Sequence, residues 1–477
     1  MRINSILFGI ILSFLFTHQA IGQKDLTERL DKYIQAKTNY FNFSGAVLVS
    51  KNDSIILQEG YGIADREWNI ANTADTKFRI ASNTKQFTAV AILQLKEQGK
   101  LGLDDKLSKY FSGFPYGDTV TMHMLLTHSS GIQDYYELDQ FRNILPLSIS
   151  KDSMVAMMKR QLFYFLPGKD IGYSNTGYFL LGLIIEKCAG VSYEKYLTDH
   201  IFKVAGMGNT GIDRYDTILR KRAKGYLFSP GGPVNAFDEN YRPGTLFAVG
   251  SIYSTVEDLF KFEKALDGDL ILNVASKKKM FTQYGYAIAR EKKNEDPANT
   301  FPQAIDPYWY HEGYGVQVDT FLTHKRYYTR GYTQGFKSTV YKFADDGICI
   351  VVLQNNEEGP DAVAEPLSAM IFGKDVQMPY KHLPIIPDPE LFNKYVGTWV
   401  GKIYDYDLTF KIFTRDGKLY RGYEGHPDLE LIPESGNKFF YSDGQDKQFE
   451  FISNGKDEVS QVWFISSGAR FLWNKIK

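Results

Sequence analysis

One stretch of this chain is apolar on nearly every face of a helix, so it has to be enclosed on all sides. From Ala81 the sequence reads ASNTKQFTAVAILQLKEQGKLGLDD, in which Phe87, Ala89, Val90, Ile92, Leu93 and Leu95 leave no polar stripe. Such a helix is buried rather than laid on a surface. Its first turn then opens into a cleft, and that turn carries Ser82-Asn83-Thr84-Lys85. A serine and a lysine three apart on one helical face have Cβ atoms about 5–6 Å apart. A neutral lysine there takes the proton of the serine hydroxyl, and the positive end of the helix favours the developing alkoxide. The alternative for Ser82 is the ordinary role of serine at such a position, a helix N-cap.

The spacing alone selects nothing, because Ser148/Lys151, Ser192/Lys195, Ser276/Lys279, Ser435/Lys438 and Ser453/Lys456 repeat it. Context separates them. Ser192 lies in a polar, tyrosine-rich stretch and Ser276 in a run of lysines, while Ser435 and Ser453 sit beside glycine-asparagine turns. A second segment supports Ser82. Leu166-Pro167-Gly168-Lys169-Asp170-Ile171-Gly172-Tyr173-Ser174-Asn175 is a Pro-Gly loop that runs into the apolar TGYFLLGLIIEKCAG, with Ser174 or Asn175 capping the next helix. Tyr173 and Asn175, two apart in a tight turn, can both point into one cleft.

These residues resemble the serine β-lactamase and penicillin-binding superfamily, in its class C-like branch, which also holds esterases and D-peptidases. The serine-x-x-lysine motif falls on Ser82 and Lys85, and tyrosine-x-asparagine on Tyr173 and Asn175. MLLTHSSGIQDY (Met124–Tyr135) is similar to the family's leucine-leucine-threonine-histidine-x-serine-glycine stretch, and AVGSIYSTVEDLFKF (Ala248–Phe262) to its glycine-x-x-serine-x-x-x-aspartate-leucine segment. The landmarks stand in family order over residues 30–375. The resemblance implies an α+β fold, an antiparallel sheet flanked by helices with a mostly helical region completing the cleft. It also implies an acyl-enzyme on Ser82, with Lys85 and Tyr173 sharing the base role and the Lys85 ammonium favouring a Tyr173 phenolate. Asn175 then holds the lysine amine and the substrate amide, and the backbone N–H groups of Ser82 and Tyr332 form the oxyanion hole. No metal or cofactor is required.

The third family motif departs from its pattern. A strand with lysine or histidine, a small residue and glycine is matched by Thr329-Arg330-Gly331, ahead of Tyr332-Thr333-Gln334-Gly335-Phe336. Thr329 holds the cationic place and offers only a hydroxyl. Arg330 either substitutes for the cation or, because residues alternate along a strand, points away. The change favours neutral esters or amides over the carboxylate-bearing peptides and β-lactams that the family reads through this strand.

His128, in Thr127-His128-Ser129-Ser130-Gly131, invites a Ser-His reading, but the resemblance makes the segment a structural turn beside the cleft. His311 and His324 lie in an aromatic stretch that lines the pocket or packs a surface. Cys188 and Cys349, the two cysteines present, read as buried small hydrophobes, and whether they pair is open. With 55 Lys and Arg against 56 Asp and Glu, the chain has no excess charge for nucleic acid or an anionic surface.

At 477 residues the chain exceeds one core. Residues 1–22 read as a signal peptide, with Arg2, an apolar Ile6–Phe16 run too short to span a membrane, and small Ala20 and Gly22 before a cleavage after Gly22. This predicts a secreted or periplasmic protein without a stable membrane span. The hydrolase domain is expected over 23–375, with a hairpin around Asn52-Asp53, strands at KSTVYKF and ICIVVLQ, and a helix ending near Phe372. Pro379, Pro384, Pro387 and Pro389 mark a linker over 376–390. From 391 to 477, apolar-polar alternation broken by glycine turns predicts a small antiparallel barrel or sandwich. It is a lid, a binding module or a stabilising appendage. Two function classes follow. The first is a serine hydrolase of small ester, amide or peptide substrates, with D-peptidase or β-lactamase activity as alternatives. The second is a non-catalytic binding or sensor protein that keeps the fold.

Overall fold

A computed structural model describes residues 24–138, 149–214, 216–229, 231–236, 245–285, 311–357, 359–386, 389–403, 406–423, 426–453 and 458–476. The leader read at residues 1–22 lies outside the described residues, as does Pro387. The chain divides into two compact units, Ser44–Pro360 and a discontinuous one made of Met1–Phe43 with Asp361–Lys477.

In Ser44–Pro360 the hairpin forms where the turn residues place it. β1 (Gly45–Lys51) and β2 (Ser54–Tyr61) pair antiparallel across Asn52 and Asp53, whose φ of 49° and 64° are the left-handed pair of a type I′ turn. β1 then pairs on its other side with the distant β6 (Ile348–Gln354), Gly45 opposite Gln354. All of β6 and all but the last residue of β1 are buried, so both read as unbroken apolar runs rather than alternating ones. With β3 (Gln317–Phe321), β4 (His324–Thr333) and β5 (Phe336–Phe343), they make a six-stranded antiparallel sheet in the order β3-β4-β5-β6-β1-β2.

The enclosed helix is α1 (Thr84–Glu97), buried from Thr84 through Leu95. It packs on α2 (Asn175–Ala189), and its Phe87 ring meets Phe262 of α3 (Val256–Asp267) at 4.2 Å and Phe202 at 5.7 Å. α3 joins helix to sheet: Gln86 Nε2 donates to Glu263 Oε1 (2.7 Å), and Lys342 Nζ on β5 donates to the Glu263 carbonyl (2.7 Å). Cys188 and Cys349 are free.

The second unit holds a closed eight-stranded antiparallel barrel, Gly397–Ile403 pairing back to Ala469–Lys475. A barrel, rather than a sandwich, leaves no open strand edge. Asp416-Gly417 and Ser467-Gly468 supply its tight turns, all four residues at positive φ. The proline-spaced stretch before it is fastened to the barrel, Ile385 N donating to Pro433 O (2.9 Å) and His382 stacking on Phe440 at 4.8 Å. The helix over residues 24–41 belongs to the same unit. Tyr33 donates to the Ser467 carbonyl (2.8 Å), and Lys37 Nζ lies 3.8 Å from Asp446, both side chains buried. No helix among the described residues is long and apolar enough to cross a membrane.

Candidate active site

The nucleophile candidate is presented by a short, fixed turn. Residues Ala81–Asn83 form one 3₁₀ turn directly before α1, and Ala81 has a φ of 45°, a conformation that costs a non-glycine residue on the order of 1–3 kcal/mol. Three bonds hold the turn in place. Ile80 N donates to Ile252 O (3.0 Å), Asn83 Nδ2 donates to Ser338 Oγ (2.6 Å), and Ser338 Oγ donates to Ile80 O (2.8 Å). Ser82 is left partly exposed, and its side chain caps no helix. Two of the other serine-lysine pairs have local roles: Ser192 caps a helix, its Oγ accepting from Lys195 N (3.2 Å), and Ser435 Oγ accepts from Lys438 N (3.1 Å) in a turn before a strand. Ser148 and Lys456 lie outside the described residues.

Ser82, Lys85, Tyr173 and Asn175 come together. Lys85 Nζ is 3.0 Å from Ser82 Oγ, 2.8 Å from Asn175 Oδ1 and 2.9 Å from Val249 O. Ser82 Oγ is 2.7 Å from the Tyr173 phenol. Burial lowers the Lys85 pKa to about 7, against the opposing pull of the Asp134 and Glu312 carboxyls. A neutral amine has two hydrogens and one lone pair. The carbonyls of Asn175 and Val249 take the two hydrogens, which turns the lone pair to Ser82.

Tyr173 behaves differently from the sequence expectation. Burial pushes its pKa well above the ordinary phenol value, and the Ser82 hydrogen bond offsets this only in part. The expected phenolate is therefore disfavoured. The lysine is the group with a proton affinity near neutrality, and the tyrosine hydroxyl keeps its proton.

The loop that carries Tyr173 is moored to the 127–131 segment. His128, with a φ of 56°, accepts from Gly172 N through its carbonyl (3.0 Å) and from Ser174 N through Nδ1 (3.2 Å). Its ring lies 4.7 Å from Tyr173 and 5.0 Å from Tyr178. Burial and the nearby Lys85 push its pKa to about 3, so it is a neutral scaffold ring. His311 is buried and hydrogen-bonded to Gln283 (3.1 Å), and His324 pairs with Asp346 (3.0 Å).

Sequence reasoning missed two acids. Asp134 is buried and accepts from Asn175 Nδ2 (2.7 Å) and Asn175 N (3.2 Å), which aims the amide oxygen at Lys85. Glu312 is buried, bonded to Gln317 (3.0 Å), with its pKa raised to about 8 by burial. Both lie in stretches already singled out, yet nothing in residue spacing marks an acid as buried.

β4 runs alongside the backbone that leads into Ser82. A Cβ built on Gly331 would lie 2.0 Å from Ile80 O and 2.6 Å from Ser338 Oγ, so only glycine fits. Gly331→Ala is accordingly expected to cost ~1–3 kcal/mol, read as a lower urea midpoint at unchanged m-value. Strand alternation puts Thr329 on the Gly331 face and Arg330 on the opposite one. There the guanidinium lies 4.6 Å from the Tyr328 ring and donates to the Tyr341 phenol (3.4 Å). Arg330 therefore does not replace the missing cation. Thr329 is buried, and its hydroxyl has no hydrogen-bond partner among the described residues. The Tyr332 side chain is 59% exposed, its backbone following directly on Gly331.

Comparison with known proteins places this geometry among relatives. Residues 30–371 match the model of the family described as Beta-lactamase. Penicillin-binding protein 4* of Bacillus subtilis (strain 168) is 27% identical over 453 residues, which are 87% of this chain and 94% of that protein. The Bacillus subtilis protein PbpX is 34% identical over 268 residues, 56% of this chain and 64% of that protein. The solved structure of the octameric penicillin-binding protein homologue from Pyrococcus abyssi has a TM-score of 0.63 at 26% identity, covering 94% of this chain and 99% of that one.

Proposed function

This chain belongs to the Beta-lactamase family of serine hydrolases, and on that premise we propose that it hydrolyses neutral esters or amides through an acyl-enzyme on Ser82. The observation that carries the reading is the approach of Ser82 Oγ to both the Lys85 amine (3.0 Å) and the Tyr173 phenol (2.7 Å). Lys85 Nζ takes the hydroxyl proton as Oγ attacks the substrate carbonyl carbon. The tetrahedral oxyanion is met by the backbone N–H groups of Ser82 and Tyr332. Its collapse breaks the bond to the leaving group, which departs with the proton returned through Lys85 and Tyr173. Water then attacks the acyl-enzyme, its proton going to the same base, and Ser82 is released.

Substrate choice turns on Thr329. Its hydroxyl, which has no hydrogen-bond partner among the described residues, supplies no charge to hold a carboxylate. The leader read at residues 1–22 supports a reaction outside the cytoplasm. The names of the relatives support a second reading, in which penicillins acylate Ser82.

Intact-protein mass after exposure to a fluorophosphonate, and separately to a penicillin, tests both. We expect one adduct with the fluorophosphonate and none with the penicillin. A penicillin adduct would favour the second reading, and no adduct with either reagent on folded protein would favour a binding protein.

A further inference from the structure

The barrel is not filled. Inside it is a cavity of about 190 Å³, floored by Phe410, Tyr441, Phe449, Phe464 and Trp473, all buried. Ring packing shapes the floor: Trp473 meets Phe410 at 4.4 Å and Phe464 at 6.0 Å between centroids. An apolar cavity of about 150 Å³ accepts benzene. This one therefore has room for a ring with a short arm, and a long acyl chain would not fit.

Two cations line the same cavity, Arg421 and Lys447, both half-buried. Their place in the strands is inward: Arg421 shares the alternation of buried Leu419, and Lys447 that of buried Phe449 and Phe451. A charge on the inner face of a small barrel is costly unless it is paired. Among the described residues, no carboxylate lies within ion-pair distance of either cation. Arg421 Nε donates to the Tyr441 phenol (3.1 Å), a neutral acceptor. Burial holds the Lys447 ammonium below its ordinary pKa, with the Asp443 carboxylate acting against this and the Arg421 charge adding to it. Trp473 adds an indole N–H that is buried and has no hydrogen-bond partner among the described residues. The cavity thus presents an aromatic floor, two cations with no carboxylate at ion-pair distance among the described residues, and an indole N–H without a partner among them.

We propose that the barrel is a binding site for a small aromatic carboxylate, its ring on the Phe410–Phe449–Trp473 floor and its carboxylate between Arg421 and Lys447. Neither Ser82 nor any residue around it takes part, so the site stands or falls apart from the hydrolase reading.

Calorimetric titration of the full chain with phenylacetate, and in parallel with the uncharged 2-phenylethanol, tests the proposal. We expect saturable binding of the acid, with the alcohol weaker by about tenfold or more, since a charge-assisted bond is worth about 1.5–3 kcal/mol and 1.4 kcal/mol is tenfold. The double variant Arg421→Gln/Lys447→Gln should lose the preference for the acid while keeping or raising its melting temperature, because it removes two inward charges. Lys447→Met alone should lose part of the preference. Absence of phenylacetate binding, equal binding of acid and alcohol, or undiminished acid binding by a folded double variant would each overturn it.

Discussion

Replacing Ser82 by alanine is expected to lower turnover by about 10⁴- to 10⁶-fold, the range seen when a nucleophile is removed from a preorganised hydrolase site. Stability should change little. The variant loses one hydroxyl that bonds to Lys85 and Tyr173, a change worth ~1 kcal/mol. The Ala81 turn keeps its bonds to Ile252 and Ser338, none of which involves the Ser82 side chain. Steady-state turnover of a p-nitrophenyl ester and a thermal melt, taken together, decide the matter. Turnover equal to the native protein would remove Ser82 from the reaction. Lost turnover with a lost fold would instead show that the hydroxyl is structural.

Lys85→Met should separate activity from stability more sharply. Removing the base is expected to lower turnover by about 10²- to 10⁴-fold. In the native protein, kcat/KM should rise with pH through about 7, because only the neutral amine accepts the Ser82 proton. For stability, the effect of the substitution is opposite to its effect on activity. The Lys85 pKa falls from 10.5 in the unfolded chain to about 7 in the folded one. Between those values the unfolded chain binds more protons, so native stability rises with pH across that window and is lowest below it. Lys85→Met abolishes that rise. At pH 6 the variant should be the more stable protein by a few kcal/mol, less ~1 kcal/mol for each of the hydrogen bonds lost to the Asn175 and Val249 carbonyls. Denaturant midpoints of both proteins at pH 6 and pH 9 measure this. A gap that does not narrow at the higher pH would show that burial does not hold the amine down.

The parts of this molecule legible in sequence are those fixed by local chemistry. Asn52-Asp53 specifies a left-handed turn whatever surrounds it. The unbroken apolar runs of β1 and β6 demand burial on both faces, and so a central place in the sheet. The serine-lysine pair at Ser82 stood out because the helix behind it had to be enclosed, while Ser192 turned out to cap a helix and Ser435 to close a turn. What escaped was long-range. Whether Arg330 faced the cleft depended on strand parity relative to Ile80, a contact between positions far apart in the chain. Asp134 and Glu312 are acids whose meaning comes from burial next to Lys85. The protonation of Tyr173 was misread for the same reason: a nearby ammonium argues for phenolate, and the desolvation that reverses the argument has no local signature.

The first helix of the second unit meets the last turn of its barrel, with Tyr33 and Ser467 separated by 434 positions. A ribosome adding about 5–20 residues per second exposes that helix tens of seconds before its partner exists. Throughout that interval the buried faces of Tyr33 and Lys37 have nothing native to cover them. Contacts so distant in sequence form late, because closing the loop between them has to precede any gain from the contact. This unit is therefore a natural client for a holding chaperone during synthesis. A chain cut short before Ser467 would strand its own first helix, however complete the six-stranded sheet between them.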